Sequence, residues 1–169
     1  MKRISLVVVL SAVLLAAVGG YGLTRATADT GGTTLVGYME VPALSVPAAF
    51  GEFRARIDDG PRTIHFQMRW SGLTSQTVQA HIHLGQLGVN GGVSAFLCGG
   101  STKPACPTGN GGSIQGTVRP ADVIGPGGQG ITAGEWGELV AAMRAGATYA
   151  NIHSQVYPGG EIRGQIRTN

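Results

Sequence analysis

Two histidines lie one residue apart in the segment QAHIHLGQLGVNGG. In a β-strand, alternate residues point to the same face, so His81 and His83 would stand side by side if this segment is a strand. A third histidine, His153, shares one face of another alternating segment with Tyr149 and Asn151. If the two strands are neighbours, the three imidazoles can converge. Three neutral imidazoles are ligands that suit copper or zinc, so the sequence offers a candidate metal site.

A histidine cluster on paired strands also has a purely structural interpretation. Buried imidazoles can hydrogen-bond to backbone carbonyl groups of loops, or to a neighbour such as Asn151. The residues alone leave both interpretations open, and the distance from His153 to His81 and His83 decides between them. The fourth histidine, His65, alternates with the apolar residues of its own segment, and we expect it on the protein surface.

No complete catalytic arrangement is recognisable in the sequence. No serine occupies a Gly-x-Ser-x-Gly turn, and no glycine-rich phosphate motif follows a strand and opens a helix. Glu161 and Arg163 share one face of the last predicted strand, where an exposed ion pair would contribute only about 0–1 kcal/mol. We therefore expect a protein that is not an enzyme.

The first 28 residues have the features of an export signal. Lys2 and Arg3 precede an apolar stretch of about 15 residues, and small residues at positions 26–28 predict cleavage before Asp29. The apolar stretch is shorter than the roughly 20 residues that span a bilayer, which makes an uncleaved anchor the less favoured alternative. We expect a secreted, cell-surface or periplasmic protein that meets a membrane only through this signal.

Removal of the signal changes the charge of the protein. It takes away three of the 12 basic residues and none of the 9 acidic residues, so the mature chain is formally neutral. Nucleic-acid binding is therefore not expected, because no basic run or patch supports it. The 141 residues that remain of 169 suffice for one domain with a core. Its partner is expected to be an extracellular protein or a metal ion.

The chain contains two cysteines, Cys98 and Cys106. In an exported protein a disulfide is the default state, and the short loop that it closes would give a stabilisation of about 2.5 kcal/mol. The alternative is a metal site that combines these cysteines with histidine.

The pattern of short alternating segments predicts an all-β sandwich or barrel with one short helix. Residues 29–33 are expected to form a flexible tether, and the domain proper to span 34–169. Strands are predicted at 34–41, 50–58, 63–70, around the His-x-His motif, at 93–97, 113–118, 149–156 and 161–167. A capping-box pattern from Thr132 to Glu135 predicts the start of the helix, and its apolar stripe (Leu139, Val140, Met143) precedes Gly146.

The stretches AHIHLGQLGVNGGV and LVAAMRAGATYANIHSQVYPGGEIRGQI closely resemble the CHRD domain. This family is named for its repeats in chordin and also occurs singly in exported microbial proteins; the resemblance covers roughly residues 33–167. Its most specific residues are Tyr149, Asn151, His153, Pro158, Gly159, Gly160, Glu161, Arg163 and Gly164.

The resemblance implies an immunoglobulin-like β-barrel with a distant likeness to Cu/Zn superoxide dismutase, whose copper strand also carries His-x-His. On that likeness His81 and His83 match the copper strand and His153 would be a third ligand. Dismutase activity is not expected, because no compact His/Asp cluster for a second, zinc site is visible.

Three functions are consistent with the sequence. The leading expectation is an exported, non-enzymatic module that acts through binding or structure. The alternative is a copper- or zinc-binding protein, and the third is a protein-interaction module by analogy with chordin, which binds growth-factor ligands.

Overall fold

A computed structural model describes the backbone of residues 29–38, 45–100 and 102–168, and within these ranges the side chains from residue 49 onward. The predicted export signal, residues 1–28, lies outside the described residues. Among the described residues, no helix has the length and apolar character that crossing a membrane requires.

The described residues form eight strands and one α-helix. In chain order they are β1 (Asp29–Tyr38), β2 (Ser45–Asp58), β3 (Thr63–Ser71), β4 (Thr77–Leu84), β5 (Val93–Cys98), β6 (Gly112–Val118), α1 (Trp136–Arg144), β7 (Thr148–Ser154) and β8 (Ile162–Gln165). Two single turns of 3₁₀-helix, Pro120–Asp122 and Gly127–Gln129, lie between β6 and α1.

All strand pairs are antiparallel, in the order β5-β4-β7-β8-β1-β2-β3-β6. The order divides into two four-stranded halves, which meet where Val36 of β1 pairs with Arg163 of β8. Apolar residues of β2 and β3 share one buried cluster with those of β4, β5, β7 and β8, so the two halves enclose a common core. The predicted all-β sandwich with one short helix is confirmed.

The β2–β3 hairpin follows the predicted alternation closely. Phe53 and Phe66 point inward and stack with ring centroids 6.3 Å apart, while His65 lies on the exposed face, as predicted. Burying one large apolar side chain contributes about 1.5–3 kcal/mol, so this regular alternation fixes which face of the hairpin meets the core.

Helix α1 closes part of the core with its apolar stripe, which is buried as predicted. Its start differs from the prediction, because the helix begins at Trp136, after a turn that contains Gly134 with φ +85°. The Glu135 carboxylate still accepts a hydrogen bond from the Thr132 backbone N–H at 2.6 Å. The capping-box residues therefore stabilise the turn before the helix rather than its first turn.

Residues 29–33 were predicted to be a flexible tether, and the structure corrects this. They belong to β1, where Asp29 pairs with Arg56 and Thr33 with Phe53, with an irregular register between Thr30 and Thr33. Backbone pairing with the long strand β2 supplies the hydrogen bonds that the glycine-rich sequence alone does not predict. The predicted continuation of the first strand to residue 41 lies outside the described residues.

The predicted disulfide between Cys98 and Cys106 is present and closes the loop after β5. The Lys103 ammonium fixes this loop to β6 by donating to the Thr117 carbonyl at 2.6 Å, and it pairs with Asp122 at 2.9 Å. Since both cysteines are bonded to each other, the alternative of a Cys-His metal site is excluded.

Candidate metal centre

Strands β4 and β7 are neighbours, and their register brings the three predicted histidines together. His81 lies opposite Asn151, His83 opposite Tyr149, and Gln79 opposite His153. The alternating residues of β4, such as Ile82, point into the hydrophobic core. The histidines therefore occupy the other face of the sheet, as the alternation predicts.

That second face is not solvent-exposed. His81 is 3% exposed, His83 5% and His153 6%, and every residue of β7 and β8 is buried. Contacts on this face come from residues 85–92, which we call the β4–β5 loop, from Phe96 of β5, and from the turn at residues 157–160. The site is thus a second, polar layer beneath surface loops.

The burial of this layer corrects one expectation. Glu161 and Arg163 were expected to be exposed, but they are 0% and 2% exposed. Glu161 accepts a hydrogen bond from the Thr74 backbone N–H at 2.6 Å. Removing either charged group is therefore expected to matter more than removing one partner of a surface ion pair.

The imidazole nitrogens of the three histidines lie close together, although farther apart than in a formed metal site. One ring nitrogen from each of His81, His83 and His153 can be chosen so that all three lie within 4.8 Å of one another. His81 Nδ1 and His153 Nε2 are 2.9 Å apart. Metal–nitrogen bonds of about 2.0–2.1 Å place the nitrogens of a tetrahedral site about 3.3 Å apart, so small side-chain movements suffice.

Hydrogen bonds to backbone carbonyls define the tautomers of two rings. His83 Nδ1 lies 3.0 Å from the Gly91 carbonyl and His153 Nδ1 lies 2.9 Å from the Pro158 carbonyl. A carbonyl oxygen only accepts, so both Nδ1 atoms carry the hydrogen, and both neutral rings direct an Nε2 lone pair elsewhere. This arrangement is the one that holds metal-ligating histidines in orientation.

The tautomer of His81 follows from its hydrogen bond to His153. Because His153 Nε2 is the acceptor in the bond between these two rings, His81 donates from Nδ1 and its own lone pair is on Nε2. Within the described part of the chain, the Nε2 atoms of His81 and His83 are buried without a hydrogen-bond partner. Two buried lone pairs that meet no donor are uncommon in native proteins and need an explanation.

Burial keeps the imidazoles neutral. It lowers the pKa of His81 to about 3, with further lowering from His153 and His83. Burial also lowers the pKa of His83; the hydrogen bond to the Gly91 carbonyl partly opposes this, and the positive charge of Arg163 adds a smaller lowering. Neutral rings with available lone pairs are in the state that binds a metal ion.

Comparison with protein families matches residues 32–166 to the CHRD domain. The chain is a CHRD domain. Comparisons with curated proteins and with solved structures found no match.

The most specific residues of the CHRD resemblance surround the histidine site. Pro158 supplies the carbonyl that orients His153. Gly160 adopts a φ of +116°, and a Cβ atom there would lie 2.6 Å from the Asn151 amide nitrogen. The signature is thus the structural frame of the polar layer in this CHRD domain.

The sequence did not predict the outer wall of the site. Tyr149 stacks on His83 with centroids 4.8 Å apart and planes 9° apart, and Phe96 meets His81 edge-on at 4.4 Å. The Arg163 guanidinium carbon lies 3.4 Å from the Tyr149 ring centroid. Strand alternation placed Tyr149 on the correct face, but Phe96 belongs to another strand and Gly91 to a loop, so no local pattern could have indicated them.

Proposed function

We propose that this CHRD domain is an exported, non-enzymatic protein that binds one copper or zinc ion through His81, His83 and His153. The observation that carries the proposal is the pair of buried Nε2 lone pairs on His81 and His83, for which the described residues provide no donor. A metal ion bound between the rings would satisfy both atoms. A purely structural histidine cluster would leave each of them with a desolvation cost of about 1–3 kcal/mol.

The surrounding hydrogen bonds support the same function. The carbonyls of Gly91 and Pro158 hold the rings of His83 and His153 through Nδ1, which leaves Nε2 as the coordinating atom. Uptake of an ion by the Nε2 atoms of His81 and His83 replaces the hydrogen bond between His81 Nδ1 and His153 Nε2, which makes the His153 Nε2 lone pair available as the third donor. Three imidazole ligands match the preferences of copper and zinc.

The test is a metal titration of the purified, metal-free protein by calorimetry, with metal content measured afterwards. We expect one ion per chain, and a loss of affinity of at least 100-fold when His153→Gln removes one ligand. His65→Gln is the matched control, because His65 is the fourth histidine and lies on the exposed outer face of β3. Binding that is weaker than millimolar, or that His65→Gln and His153→Gln weaken equally, would contradict the proposal.

A further inference from the structure

We propose that the histidine site prefers monovalent copper, Cu(I), to divalent copper and zinc, and that Arg163 determines this preference. The inference rests on the proposed function, because it concerns which ion the same three histidines hold. It adds an oxidation state, a coordination number and a specificity-determining residue that does not touch the ion.

The ligand set provides no negative charge to a bound ion. Within the described residues the cluster consists of three imidazoles, without a carboxylate or a thiolate in coordinating position. An ion held there keeps its full charge in a buried environment. The cost of burying an ion rises with the square of its charge, so a divalent ion is penalised about four times as strongly as a monovalent one.

The number of ligands also favours Cu(I) over the divalent ions. Zinc in proteins is nearly always four-coordinate, so a zinc ion on three imidazoles needs a water or another donor as its fourth ligand. Cu(I), a closed-shell ion, is stable with three ligands. Two of the neighbouring groups are the ring of Phe96, edge-to-face with His81, and the ring face of Tyr149 at His83, and neither ring offers a strong donor atom toward the cluster.

Arg163 places a permanent positive charge behind the site. Its guanidinium carbon lies 3.4 Å from the Tyr149 ring centroid, and that ring stacks on His83 at 4.8 Å, so the tyrosine lies between the cation and the ligand. Arg163 is 2% exposed and donates to the backbone carbonyls of Val89 and Gln86, which fix the position of the charge. Arginine does not lose its proton in proteins, so this charge is always present.

Among the described residues, the carboxylate of Glu161 is the other fully buried charged group besides Arg163. Glu161 directly precedes β8, its backbone N–H donates to the Ile152 carbonyl at 2.8 Å, and its Oε1 accepts from the Thr74 backbone N–H. Arg163 instead acts on His83 through Tyr149. Removing Arg163 alone leaves this carboxylate in place, so the substitution changes only one of the two buried charges.

The expected size of the effect follows from Coulomb's law. A unit charge about 10 Å away, at an effective dielectric constant of about 20, changes the binding of each added unit of ionic charge by about tenfold. Replacing Arg163 by a neutral residue is therefore expected to raise divalent affinity about tenfold relative to Cu(I). The same tenfold change corresponds to a Cu(II)/Cu(I) reduction potential lower by about 60 mV.

The experiment measures Cu(I), Cu(II) and Zn(II) affinities by chelator competition in the intact protein, with and without reductant. For the unmodified protein we expect Cu(I) to bind more tightly than either divalent ion. Arg163→Gln removes the charge and is expected to raise the affinity for divalent ions about tenfold relative to that for Cu(I). Arg163→Lys is the matched control, since it keeps the charge but loses the planar contact with Tyr149, and its ratio is expected to stay near that of the unmodified protein.

Three results would overturn this inference while leaving the proposed function intact. They are tighter binding of zinc or Cu(II) than of Cu(I) by the unmodified protein, an unchanged ratio in Arg163→Gln, and an equal change in Arg163→Lys. The first needs no variant, so the inference remains testable if Arg163→Gln does not fold. Absence of binding for all three ions in the unmodified protein would instead remove the proposed function itself.

Discussion

Among single residues, His81 and His83 set the chemistry of this domain. Their Nε2 atoms are buried without partners in the described part of the chain, whereas the Nδ1 atoms of His83 and His153 are fixed by loop carbonyls. An unpaired buried polar atom costs about 1–3 kcal/mol, so the apo site holds a free-energy cost that a bound ion would remove. In the proposed metal site, the affinity for the ion and the loss of stability without it therefore have the same physical origin.

Gly160 is the residue at which the frame of this site is most sensitive to substitution. Gly160→Ala is expected to destabilise the protein by about 2 kcal/mol, because φ is +116° and the new Cβ would lie 2.6 Å from the buried Asn151 amide nitrogen. Gly159→Ala is the control, since a Cβ there meets nothing within 4 Å and is expected to change stability by less than about 0.5 kcal/mol. Urea unfolding measures both, and equal effects would refute this explanation.

At the scale of strands and helices, sequence patterns correctly predicted the features that depend on residues close together in the chain. The inward face of the β2–β3 hairpin and the buried stripe of α1 follow from the sequence period alone. The polar faces of β7 and β8 did not, because both faces of these strands are buried under loops that are distant in sequence. Pairing of His81 with Asn151 was expected only conditionally, since strand order depends on contacts that no short segment encodes.

Two glycines of helix α1 and its C-terminal turn allow a paired test, in which one substitution is expected to lower stability and the other to raise it. Gly146 follows the helix with φ +67°, and its N–H and that of Ala147 donate to the carbonyls of Met143 and Ala142, which is a Schellman motif. Gly146→Ala is expected to cost about 1 kcal/mol because an L-residue is strained there. Gly137→Ala, inside the helix with open space around the new Cβ, is expected to add about 0.5 kcal/mol.

Thermal and denaturant unfolding of the two glycine variants give the sign of each change. A destabilised Gly137→Ala, or a Gly146→Ala as stable as the parent, would show that the helix ends are governed by packing against the sheet rather than by backbone conformation.

For the molecule as a whole, burial of the histidines links folding to pH. The pKa of His81 falls from an ordinary value near 6.5 to about 3 in the folded protein, chiefly through burial. Below pH 6.5 the unfolded chain therefore binds a proton at this residue that the folded chain does not bind. Stability from this group is complete above pH 6.5 and is lost as pH falls toward 3, by up to about 1.4 kcal/mol per pH unit.

The metal-free protein is accordingly expected to lose about 2 kcal/mol of unfolding free energy between pH 7 and pH 5 through His81 alone, with a further loss from His83, whose pKa is also lowered. Chemical denaturation in a chelating buffer at both pH values measures this difference. In His81→Gln the pH-dependent loss should shrink by about 2 kcal/mol, while His65→Gln should keep it, because His65 is exposed. Equal pH dependence in all three proteins would mean that His81 is protonated in the folded state, which is incompatible with a free lone pair ready to bind a metal ion.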